Sequence, residues 1–194
     1  MKKPVPIQKK FVVLFRGINV GGNNIVPMAF LKKEFEKHGF RNVHTILNSG
    51  NVIFETSSQK EDEILAEINS ILKKNFIFLV PAILISFSGI EKIVEENPFK
   101  KILITPDLRL YVTFTNGSSM STLSIPYKSS DESFRLIRIL GDSIFSVLDV
   151  SKNKTPTAMS ILEKEYGKNI TTRNWNTVIK IWKAGRGVKG KRLK

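Results

Sequence analysis

The 194-residue chain contains no cysteine and only two histidines, His38 and His44. The first absence excludes disulfides, thiolate metal sites and a cysteine nucleophile, and it fits a reducing compartment, so a cytoplasmic protein is expected. Neither histidine has a carboxylate or thiol at ligand spacing, so no metal and no cofactor is expected. Long apolar runs are also missing. The run at 76–85 is about half the length of a spanning helix and contains Pro81. The lysines at 2, 3, 9 and 10 precede an apolar run, 11–15, that is too short for a signal-peptide core. A soluble protein with no membrane partner is expected. No Gly-x-Ser-x-Gly elbow is present, so a serine hydrolase has no anchor.

Acidic residues are scarce: 17 against 31 Lys and Arg, for a net charge of +14. Ten of the basic residues fall in 1–10 and 183–194, which hold no acid; the remaining 21 face all 17 acids, so the body of the chain is only mildly basic. The expected organisation is a flexible basic arm at 1–10 and a disordered basic tail at 184–194, with little to bury in either. Such tails would bind nucleic acid non-specifically and with steep salt dependence.

Between the tails, the hydrophobic pattern predicts a strand at 11–15, a helix at 27–38, strands at 42–48 and 51–55 joined by a two-residue Ser49-Gly50 turn, a helix at 61–74 and a strand at 78–87. The order β-α-β-β-α-β is that of a ferredoxin-like unit, with spatial strand order 4-1-3-2. The 11–15 run is apolar throughout, as a central strand covered on both faces should be. Pro81 suits the fourth strand only if that strand is an edge. A connector at 89–106 leads to a second α+β subdomain at 107–183. Its expected elements are a strand at 108–115, a loop at 116–132, a hairpin of 134–140 with 143–150 around Gly141-Asp142, and helices at 156–166 and 172–183. The fold class expected is α+β, two ferredoxin-like subdomains in tandem, the first at 11–88 and the second less regular.

In that topology one rim of the first subdomain collects the loop after the first strand, the turn between the second and third, and the end of the second helix with Lys73 and Lys74. The rim carries Arg16, Gly17, Asn19, Gly21, Gly22, Asn23, Asn48, Ser49, Gly50 and Asn51. Glycine backbone that a ligand can approach closely, amide side chains and a planar guanidinium suit a carboxylate or phosphate. A phosphate-bearing small molecule or nucleic acid is the expected partner. The same residues also fit an ordinary tight connection, because Gly and Asn populate turns. The glycine spacing is neither a dinucleotide fingerprint nor a nucleotide P-loop. The stretch at 11–19 followed by 51–54 lacks the paired stacking aromatics of an RNA-recognition domain. A second candidate is Arg173 with Asn174, expected on the first turn of a helix capped by Thr172, where free N–H groups hold anions. An enzyme using the rim for charge stabilisation stands as the alternative to plain binding. Glu55 and Asp149 are the nearest strand-end carboxylates for it.

Three blocks carry a resemblance: Arg16-Gly17-Ile18-Asn19-Val20-Gly21-Gly22-Asn23, Leu47-Asn48-Ser49-Gly50-Asn51-Val52-Ile53-Phe54 and Thr172-Arg173-Asn174-Trp175-Asn176-Thr177-Val178, with Val26-Pro27-Met28 between the first two. Through them the chain resembles a bacterial family known only as a domain of unknown function. The resemblance implies a two-part α+β protein and brings no catalytic residues. The chain departs from it at Ser151-Lys152-Asn153-Lys154-Thr155-Pro156-Thr157, where many relatives have a Gly/Arg/Ser-Lys-Leu type segment.

Overall fold

The computed structural model describes residues 7–22, 24–76, 78, 80–117 and 123–187. The chain divides into two compact units, residues 1–90 with 181–194 and residues 91–180. Among the described residues it is a mixed α+β protein with five helices and two antiparallel sheets.

In the first unit, β1 (Lys9–Phe15), α1 (Met28–Lys37), β2 (Arg41–Ile46), β3 (Asn51–Thr56), α2 (Glu61–Asn75) and β4 (Ala82–Ser86) follow in order. The sheet order is β2-β3-β1-β4, the order expected from the element sequence. β1 is central, and Phe11 through Phe15 are all buried. Phe11, Val13 and Phe15 pack with Val52, Phe54 and Leu84 against Leu31 and Phe35 of α1 and Ile64, Ile68 and Ile71 of α2. Val12, Leu14 and Ile53 alternate with them and are equally buried on the opposite face. Four phenylalanines, Phe11, Phe35, Phe40 and Phe54, form a chain of ring contacts through this core.

Several boundaries differ from the expected ones. β1 takes in Lys9 and Lys10, which were expected in the flexible arm. Lys10 is fixed: its Nζ donates to the Gly185 carbonyl at 2.8 Å, lies 3.5 Å from Glu55 and sits over the Phe87 ring. β4 is shorter than the 78–87 strand expected and starts just after Pro81, which has no N–H to give a ladder. β4 is the sheet edge, as the expected order requires. Phe87, expected in that strand, instead opens α3 (Phe87–Glu96), because Ser86 Oγ accepts from the Gly89 N–H and caps the helix.

The second unit holds β5 (Leu108–Phe114), β6 (Tyr127–Lys128), β7 (Phe134–Leu140), β8 (Ser143–Asp149), α4 (Thr155–Tyr166) and β9 (Thr171–Asn174). The sheet order is β6-β7-β8-β5-β9. α4 packs Ala158, Leu162 and Tyr166 on Phe134, Leu136, Ile144 and Leu148. Two expectations fail here. The loop at 116–132 contains strand β6, while 118–122 lie outside the described residues. The helix expected from 172 is instead β9 followed by α5 (Trp175–Gly185). Thr172 is not an N-cap: it pairs with Thr113 of β5, the two hydroxyls 2.7 Å apart. Cross-strand pairing of β-branched residues outcompetes the cap, and Asn174 takes over capping, its Oδ1 accepting from the Asn176 N–H at 2.9 Å. α5 runs to Gly185, inside the tail expected at 184–194; 1–6 and 188–194 lie outside the described residues.

One carboxylate braces the second unit. Asp131 accepts from the hydroxyls of Ser129 and Ser133, the Ser133 N–H and Asn153 Nδ2. The Ser129 hydroxyl, with the other donors, holds its carboxyl far below the ordinary carboxylate range. A depressed folded-state pKa gives stability that is complete above the unfolded value and is lost as the pH falls through the folded one. In urea melts Asp131→Asn should therefore be less stable than the native protein at neutral pH. The gap should narrow as the pH drops below about 4. A gap that stays constant into strong acid would contradict this role.

Candidate functional site

The antiparallel registers bring three connections to one end of the first sheet. Leu14 of β1 lies opposite Asn51, which opens β3, and Phe15 opposite Ala82, which opens β4. The β1–α1 loop, the β2–β3 turn and the α2–β4 connection therefore share an edge, as the topology required. Backbone bonds join them: Phe15 N–H donates to the Gly50 carbonyl and Arg16 N–H to the Pro81 carbonyl, both at 2.8 Å.

Asn19 organises the loop. Its Nδ2 donates to the Val26 carbonyl at 2.9 Å and to the Asn48 carbonyl at 2.8 Å, and its Oδ1 accepts from the Val26 N–H at 2.7 Å. Its own N–H donates to the Asn24 carbonyl, and Asn24 Nδ2 returns to the Gly17 carbonyl. Asn19 adopts φ +55, a left-handed conformation that asparagine tolerates better than other residues bearing a Cβ. The side chain closes the loop on itself and latches it to the neighbouring turn.

That turn is not the two-residue connection expected. β2 ends at Ile46, which pairs with Asn51, leaving four residues between. Asn51 is fully buried, and its Nδ2 donates to the Ile46 carbonyl and to Ser49 Oγ. Gly50 is buried with φ +78; a methyl group there would lie 2.6 Å from Ile18 Cδ1 and 2.9 Å from Phe15 Cβ. The turn can sit on Ile18 only because residue 50 has no side chain.

The structure thus brings together Arg16, Gly17, Asn19, Gly21, Gly22, Asn48, Ser49, Gly50 and Asn51, and gives them unequal duties. Asn19, Gly50 and Asn51 are occupied in bracing. Gly17, Gly21, Gly22 and Asn48 are exposed, Arg16 is half-buried, and Asn23 lies outside the described residues. Lys73 and Lys74 are exposed where α2 ends at the same edge. The segments 16–27, 46–51 and 72–82 contain no Asp or Glu. α1 also starts here, behind Pro27, with no side-chain cap and no acid in its first turn. Its terminal N–H groups add positive potential.

Arg173 and Asn174 belong to the second unit, and neither is on a helical turn. The Arg173 guanidinium is buried, donates to Thr171 Oγ1 at 2.7 Å and the Thr172 carbonyl at 3.0 Å, and is pushed down to about 10 by that burial. Of the carboxylates considered for an enzyme, Glu55 lies at the far end of β3 from the rim, 3.5 Å from Lys10 and bonded to Asn42 Nδ2. Asp149, in the second unit, accepts from Ser151. A groove of about 260 Å³ lies at that far end of the first sheet, lined by Lys10, Asn42, His44, Glu55 and Arg186. Glu55 there meets both Lys10 and Asn42, and Lys10 donates to the Gly185 carbonyl at the end of α5, so its polar groups are engaged with one another.

The rim's apolar members were not anticipated. Val20, Ile25, Phe30 and Leu47 are all exposed, and Leu47 adopts φ +58. Large side chains beside glycines and asparagines were the available signal.

A family model described as Protein of unknown function (DUF1697) matches residues 8–144. The chain belongs to that family. Both loops of the rim fall inside the DUF1697 match, and the block at 172–178 lies beyond it. A solved structure described as that of conserved bacterial protein SP0830 from Streptococcus pneumoniae is similar to this DUF1697 chain at 22% identity and a TM-score of 0.67, covering 94% of this chain and all of that one. That likeness concerns the fold. A comparison with curated proteins gives no match.

If Asn19 is the latch, Asn19→Asp should keep the shape, the left-handed backbone and the acceptor while removing both donated bonds. We expect a loss of about 1–3 kcal/mol in chemical denaturation. Gly50→Ala should cost about 2 kcal/mol or more, through its φ and its overlap with Ile18. Native stability in both variants would refute the latch.

Proposed function

We propose that this protein binds a phosphate-bearing ligand at the rim formed by the Arg16–Asn24 loop, the turn at 47–50 and the end of α2. The observation that carries the reading is electrostatic. Two of three converging segments supply Arg16, Lys73 and Lys74, and none of the three contains an acid, beside a helix start without a side-chain cap. Glu34 of α1 is the carboxylate that reaches them, accepting from Asn75 Nδ2 at 3.2 Å. Exposed Gly21 and Gly22 let backbone N–H groups approach an anion without side-chain interference. The latch supports the reading too, because a preorganised loop loses little entropy when a ligand docks. Binding is preferred over catalysis because the three segments hold no histidine or carboxylate to move a proton.

Two finer readings accompany it. The strand order β7-β8-β5-β9 repeats β2-β3-β1-β4 when strands are matched by position, which supports two ferredoxin-like units, the second with β6 added and no described helix between its first two strands. The lack of cysteine supports a cytoplasmic setting.

Arg16→Glu should lower affinity for phosphate-bearing ligands by about tenfold or more, equivalent to about 1.4 kcal/mol. Wild-type affinity should itself fall as salt rises. Unchanged affinity in Arg16→Glu, measured calorimetrically, would refute the rim as the site.

A further inference from the structure

We infer that the rim's ligand is a nucleotide whose base docks on an apolar crescent beside the cationic loop; this deepens the phosphate reading and rests on it. Among the described residues, eight large hydrophobic side chains are exposed, and four of them, Val20, Ile25, Phe30 and Leu47, are at this one edge. Their exposures are 61%, 63%, 41% and 46%. Scattered single apolar residues on a surface need no explanation, but a cluster at a preorganised loop does.

The bonds of Asn19 bring three of the four together. Val20 follows Asn19 directly, Ile25 follows Asn24, whose carbonyl accepts from the Asn19 N–H, and Leu47 precedes Asn48, whose carbonyl accepts from the Asn19 side chain. The fourth, Phe30, lies in the first turn of α1 and meets the ring of Phe76, just past the end of α2, edge-on at 6.1 Å. Through Phe76 the crescent adjoins all three segments of the rim, two of which carry the cations.

Leu47 is the most telling member. It combines a left-handed backbone, φ +58, with a half-exposed aliphatic side chain. Asparagine or glycine would relieve the backbone, and a polar residue would relieve the solvation. Leucine thus suits neither the left-handed backbone nor the exposed part of its own surface, and a ligand's apolar face would cover that part. Inorganic phosphate and sugar phosphates offer no apolar face to meet. A nucleotide offers both, a phosphate for Arg16, Lys73 and Lys74 and a flat base for the crescent.

The test compares three probes on the full chain by calorimetry: adenosine 5′-monophosphate, ribose 5-phosphate and inorganic phosphate. The mononucleotide should bind about tenfold or more tighter than ribose 5-phosphate, as a base on an apolar or aromatic surface contributes. Leu47→Asn should collapse that ratio towards one without lowering the thermal midpoint, leaving ribose 5-phosphate unaffected. Val20→Ser, in the exposed loop, should act in the same direction and guards against an unforeseen effect of Leu47→Asn on folding. Equal binding of the two probes, both lost in Arg16→Glu, would overturn the nucleotide inference and leave the phosphate reading standing. Failure of all three probes would overturn both. Binding of single-stranded DNA or of phosphatidylglycerol vesicles, with no binding of the mononucleotide, would also overturn this inference.

Discussion

The candidate site depends on the side chain of Asn19. Its three hydrogen bonds reach the start of α1 through Val26 and the β2–β3 turn through Asn48. Ile18 and Val26 anchor the loop in the core, and the Asn19 bonds fix its polar backbone and the neighbouring turn. With the latch in place these segments act as one surface, seated on Ile18, which fills the space that Gly50 leaves empty. Rigidity here comes from a few directional bonds, one missing side chain and two apolar anchors, Ile18 and Val26, that belong to the phenylalanine-rich core beneath.

The division of labour among the rim's polar residues follows from burial. An amide with no access to water must find partners within the fold, and Asn51 does so with Ile46 and Ser49. Asn19 is similarly committed. The exposed groups of the rim are Lys73, Lys74, the glycine backbone and the apolar side chains. Of the glycine backbone, amide side chains and guanidinium that suggested a phosphate site, the amides of Asn19 and Asn51 are thus given over to bracing. The large net charge contributes little to that field, since much of it lies at the two ends of the sequence.

The sequence made the first unit largely legible. An apolar run at 11–15, helices with clear amphipathic spacing and a chain order of β-α-β-β-α-β led to the observed strand order and to the shared edge. Legibility failed where tertiary pairing overrode local signals. Thr172 looks like a helix cap in isolation, but β5 offers an edge on which Thr113 can pair with it. Arg173 was expected on an accessible helical turn and is buried in a strand instead. At the rim, the pattern located the loop correctly but could not say which asparagines brace it. Nor does any propensity foretell a leucine with positive φ; only the backbone reveals that, and it turns an unremarkable residue into an informative one.

The central claim is that this edge is a ligand surface. Backbone amide resonances of the full chain, followed during titration with adenosine 5′-monophosphate, test it most directly. The account predicts saturable shifts confined to 16–30, 47–51 and 73–76, with matching dissociation constants. Shifts centred on the groove of Lys10, His44 and Arg186, or no shifts at millimolar nucleotide, would contradict it.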